Sequence, residues 1–200
     1  MNLQERTKPD PCVFWTRQAA VVLDEFDEDG RYVVKKEYIE AKNDTIADFY
    51  LKLYRWYTRE AGKHLTLPQD AEYPIWMSVS DELMLRPTQG TVILKLQIPA
   101  DSFLYANYDA WGYCVNYMYV PTDEEDKIRH ENELKKYGVA SDDQLLLTQK
   151  GNFYPLLKKQ LTDSWRRVFT QPPKDEIAGL VATCWEIRKE WILEVTEYKE

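Results

Sequence analysis

The sequence predicts an α+β fold: a single mixed domain with a central, largely antiparallel sheet and several packed helices. Strand-like segments occur early, in the middle and last, with helical segments between them. At 200 residues the chain is long enough to bury a sizeable core without disulfide or metal staples. No repeat, low-complexity tract or linker divides it, so residues 11–200 read as one globular domain after a loose polar tail over residues 1–10.

The elements follow in order. "CVFWT", Cys12 to Thr16, begins after Pro11 and has the bulky composition of a strand. From Gln18 onward Ala19, Val22, Leu23 and Phe26 recur at helical spacing, with Gly30 placed to end that helix. "RYVVKKEYI" reads as a short extended segment. The clearest element runs from Asn43 to Ala61. There Ile46, Phe49, Tyr50, Leu53, Tyr54 and Tyr57 form one broad face, with Asn43 or Asp44 as cap and Gly62 as stop.

"YPIWMSVS" and "TVILKLQIP" read as strands on either side of the turn-prone "RPTQG". The second alternates Val92, Leu94, Leu96 and Ile98 with the residues between them, the pattern of a half-buried strand. "SFLYANY" adds a short strand, and "DAWGYCVNYMY" a short helix capped by Asn107 or Asp109. Thr122-x-x-Glu125 and Ser141-x-x-Gln144 have the form of capping boxes opening two further helices. "PLLKKQLTDSWRRVF" then puts Leu157, Leu161, Trp165 and Val168 near one face. After the loop "TQPPKDE", "GLVATCWEI" and "WILEVTEY" read as strands, the final one expected near the first.

Composition excludes several classes of function. A net charge of −8 disfavours nucleic acid, which needs a basic face to neutralise phosphates. No apolar run approaches the ~20 residues of a membrane span. The polar "MNLQERTKPD" lacks the apolar centre of a signal peptide, so a cytoplasmic location and no membrane partner are expected. Cys12, Cys114 and Cys184 are widely spaced and form no CxxC pair, which predicts buried free thiols and no metal site. Nucleotide-binding glycine loops, zinc-protease motifs and nucleophile elbows are absent, and His64 and His130 both read as exposed surface residues.

Two features remain. The chain has 14 Tyr and 7 Trp against 7 Gly, rings that build a core, line a ligand pocket or anchor a protein interface. Glu186 interrupts the apolar "LVATCWEI" beside Trp185. Such a carboxylate is either held in a pocket that sets its chemistry or sits at a strand end paired with Arg188 or Lys189.

"VFWTRQ", "YPIW", the "LQIPADSFLY…W" stretch and the closing "VATCWEI..EWILEV" together resemble an uncharacterised bacterial family, domain of unknown function 3841. That resemblance implies a cytoplasmic bacterial protein and supplies no catalytic residues. At the level of the scaffold, the order of elements is similar to that of the ADP-ribosyltransferases acting on nucleic-acid bases. In those enzymes an early strand carries an aromatic-His-x-Thr motif, and a late Gln-Ala-Glu strand supplies the carboxylate that positions the NAD ribose.

Here Trp15 falls where the His would lie and Thr183 where the Glu would lie, with Glu186 the nearest carboxylate. This resemblance implies NAD as cofactor, bound by Trp15, Thr16, Gln18 and Thr183, with Glu186 as the catalytic residue of an atypical or degenerate site. The position needs a shift, because residues 183 and 186 of a strand point to opposite faces. The alternative is a non-enzymatic regulatory domain that meets a protein partner through an aromatic-rich surface.

Overall fold

Alternating hydrophobic residues in the segments around Phe14 and Leu94 drive the longest ladder of the structure. The computed structural model describes residues 2–198. In chain order its elements are β1 (Cys12–Ala19), β2 (Arg31–Tyr32), α1 (Lys36–Asn43), α2 (Ala47–Ala61), β3 (Ile75–Ser78) and β4 (Thr91–Ile98). There follow β5 (Leu104–Asn107), α3 (Tyr108–Val115), α4 (Glu124–Lys136), α5 (Gln144–Leu147), α6 (Lys150–Phe153), α7 (Pro155–Ser164) and α8 (Arg167–Thr170). The chain then returns through β6 (Leu180–Cys184), β7 (Ile187–Arg188) and β8 (Ile192–Glu197).

Six strands form one antiparallel sheet in the order β5-β6-β3-β1-β4-β8, and β2 pairs with β7 in a small second sheet. β1 and β4 pair along their whole length, from Cys12↔Ile98 to Ala19↔Thr91. By contrast β1 meets β3 at the single register pair Trp15↔Ser78. Just beyond it the Thr16 hydroxyl donates to the Trp76 carbonyl at 2.9 Å, a side-chain substitute for a ladder bond. The final strand lies beside β4, which separates it from β1.

Strand alternation sends opposite residues to the two faces. Phe14, Ile75, Met77, Leu94, Leu96, Ala182 and Cys184 build a core on one face. On the other, Leu104, Ala106 and Trp76 pack with α2, α3 and α8 through Tyr57, Trp111 and Phe169. Tyr57 is the hub: its ring centroid lies 4.6 Å from that of Phe169 and 5.1 Å from that of Trp76. Burial pushes its phenol well above the usual pKa. A third cluster around Leu145, Leu157 and Leu161 packs α4 against α7.

Several expectations need correction. Residues 2–10 are not loose: Leu3 is 0% exposed, and the Gln4 side chain donates to the carbonyls of Tyr105 and Phe169. β1 runs on to Ala19, so the proposed helix from Gln18 reduces to a 3-10 turn over Ala20–Asp24. Pairing with β4 overrides the helical spacing there. α1 replaces the extended reading of 36–39, because past Val34 the segment is made of helix formers and carries the i,i+4 pair Lys36–Glu40. α2 begins at Ala47, leaving Ile46 in the preceding turn at 53% exposure.

The cap of α4 is Asp123, whose carboxylate accepts the Asp126 amide at 2.8 Å, rather than Thr122. His130 is buried, not exposed. It continues the inward stripe Asp126–His130–Leu134, stacks on Tyr119 at 4.0 Å, and its Nε2 lies 2.6 Å from Asp142.

All three cysteines are free and buried, and burial raises the thiol pKa of each. Thiol titration of the native protein is therefore expected to label them slowly and unfolding to release all three. Rapid native labelling would place one of them at the surface. No helix among the described residues is long and apolar enough to cross a membrane.

Candidate functional site

The cluster on the second face takes in residues of β5, β6 and β3 and none of β1. At its margin lies a slot of about 220 Å³. β1 contributes Trp15, Thr16 and Arg17, β3 contributes Trp76 and Ser78, β4 contributes Ile93 and β6 contributes Val181. Tyr108, the first residue of α3, closes one side, and Leu83, Met84 and Leu85 overhang from the loop between β3 and β4. Arg17 ties that loop down by donating to the Arg86 carbonyl at 3.3 Å.

The slot is aromatic and lacks acid: no carboxylate lies among its described lining residues. Its volume is below the ~300 Å³ at which pockets for drug-sized ligands begin, which suits one flat ring. Lys95 stands 5.7 Å over the Trp15 ring. Trp76 brings an unusual feature. Its Nε1 is buried and has no hydrogen-bond partner among the described residues. A buried donor in that state costs about 1–3 kcal/mol.

The site residues expected from sequence divide between places. Trp15 and Thr16 line the slot. Gln18 does not line it, and instead donates to the Thr16 hydroxyl at 2.7 Å. Thr183 is fully buried beneath α2, its hydroxyl 3.0 Å from that of Tyr57. Glu186 lies in a different groove of about 530 Å³, together with Arg31, Asp70 and Arg188. It accepts from Arg31 Nε and, at 2.8 Å, from Arg188 Nε. Arg31 also holds Asp70 bidentately at 2.7 Å, which raises the guanidinium pKa and lowers that of Asp70.

Trp15 and Glu186 therefore do not converge on one cleft. Trp15 pairs with Ser78, and Ser78 with Val181. From 181 to 186 an extended chain covers on the order of 15 Å. Trp76, Tyr108 and the Leu83–Leu85 overhang were missed from sequence because they reach the slot from three separate elements. The one available signal was the apolar "LML" inside an otherwise polar loop.

Comparison with curated proteins and with solved structures gives no significant match. A family model does match, over residues 13–193, which takes in β2 to β7, all of β1 but Cys12, and the first two residues of β8. The chain accordingly belongs to the family described as a domain of unknown function (DUF3841).

Proposed function

We propose that the chain binds the flat ring of a nicotinamide- or nucleobase-type ligand between Trp15, Trp76 and Tyr108, on an ADP-ribosyltransferase-like scaffold whose transfer machinery is degenerate. The aromatic lining of a slot sized for one ring, with Trp15, Trp76 and Tyr108 around it, carries this reading, because flat rings stack on such side chains. The missing carboxylate supports binding without transfer: stabilising an oxocarbenium-like centre needs fixed negative charge at the reacting carbon. A bacterial, cytoplasmic setting belongs to the same proposal, and NAD is the ligand from which such a ring would be drawn.

Millimolar nicotinamide is expected to raise the melting temperature, since a ligand selective for the native state stabilises it by mass action. Trp15→Ala should diminish that shift and Glu186→Gln should leave it intact, with no nicotinamide released from NAD over hours. A flat thermal response removes the ring-binding reading. Release of nicotinamide that Glu186→Gln abolishes would instead make Glu186 catalytic.

A second reading has its own observation. Phe153 and Leu156 are 77% and 81% exposed at the α6–α7 corner, away from the slot. Large apolar side chains this open are suited to anchoring a protein partner.

A further inference from the structure

We infer that the ligand is a nucleoside: its ring fills the aromatic slot, and its ribosyl group lies across Tyr108 in the adjoining groove, which takes hydroxyls rather than phosphate. The inference rests on the ring-binding reading above. Tyr108 is 54% exposed and lines both the slot and a second groove of about 740 Å³ along α3. One side chain thus separates a space sized for a ring from a larger polar space. A molecule with a ring at one end reaches the other by passing over the Tyr108 face.

The charges of the groove indicate what its second half receives. Asp109, Asp123 and Glu124 line it against Lys127 and Lys174, and Lys127 is already paired with Glu124 at 3.3 Å. Beyond that pair, a phosphate there would meet two carboxylates, Asp109 and Asp123, with one lysine, Lys174, to neutralise it. Hydroxyls suit the same surface, because they donate to carboxylates and exchange hydrogen bonds with the Asn116 amide.

Gly112 adds an independent observation. It lies within α3 on the groove, although glycine is a poor helix former. Its backbone is not left-handed, and a Cβ there would meet no described atom within 4 Å. Neither conformation nor packing in the protein requires glycine at this position. The open space beside its Cα instead lets a ligand in the groove approach the α3 backbone closely.

The test titrates the full chain, by tryptophan fluorescence, with nicotinamide, nicotinamide riboside and nicotinamide mononucleotide, and in parallel with adenine, adenosine and AMP. In the series whose ring binds, the nucleoside is expected to bind about tenfold more tightly than the free base, the worth of one or two added hydrogen bonds. The 5′-phosphate should weaken binding relative to the nucleoside. Gly112→Leu fills the groove and favours the helix, so it should keep the melting temperature and the affinity for the base while losing the nucleoside advantage.

A nucleoside no tighter than its base, a phosphate that tightens binding, or an advantage that survives Gly112→Leu overturns this inference and leaves the ring-binding reading standing. Failure of every base, nucleoside and nucleotide to bind overturns both.

Discussion

Trp185→Ala is expected to destabilise the protein by about 3–5 kcal/mol, lowering the melting temperature by on the order of 10 °C for a chain of this length. The indole is buried, its ring stacks on Tyr57 at 6.1 Å, and its N–H donates to the Thr58 hydroxyl at 2.8 Å. Truncation opens a cavity where β6 meets α2 and removes the partner of a polar group. Trp185→Phe keeps most of the ring volume and should cost about 1–2 kcal/mol. Urea denaturation of the two variants checks the pair. A loss under about 1 kcal/mol for the alanine variant would contradict the packing of α2 on the sheet.

Asp126→Ala should cost about 3 kcal/mol at neutral pH, because a buried carboxylate there collects donors from several elements. It accepts from the Tyr119 hydroxyl at 3.0 Å, the Thr122 amide at 2.9 Å and Arg167 at 2.9 Å. Burial opposes its ionisation, yet the hydrogen bonds from Thr122 and Tyr119 and the charge of Arg167 together hold its pKa below the usual value. A carboxyl depressed in the folded state contributes stability above its unfolded pKa of about 3.9 and loses it as pH falls through the lower folded value. The gap between wild type and Asp126→Ala should therefore be full at pH 7 and narrow below about pH 4. A gap independent of pH would mean that the charge of Asp126 contributes nothing to stability.

Much of the fold was legible because local pattern and tertiary environment agree. The alternation in β4 matches the observed burial except at Ile93, which is buried on the opposite face, and Asn107 caps α3 by accepting the Ala110 amide at 3.0 Å. Errors arose where they conflict. Nothing in "QAAVVLDEF" shows that β4 will claim its first residues, and the charged α4 hides an inward His130 among solvated neighbours. Of the candidate site, Trp15 and Thr16 were singled out on β1, and both line the slot. Its partners were not, since Trp76 and Tyr108 look like ordinary core aromatics until the folded chain leaves a gap beside them. For Glu186 the sequence offered Arg188 as one possible partner, and that pair forms, whereas its second partner Arg31 comes from β2, far away in the chain.

The lone register pair between β1 and β3 makes the sheet two three-stranded ribbons, β5-β6-β3 and β1-β4-β8, seamed at Trp15↔Ser78. Trp15 stands on one ribbon and Trp76 on the other, on either side of that seam. Whatever lodges between these two indoles acts as a rivet. Its grip on the protein and the protein's grip on itself become one quantity, because a guest that holds both ribbons must be released before they can part.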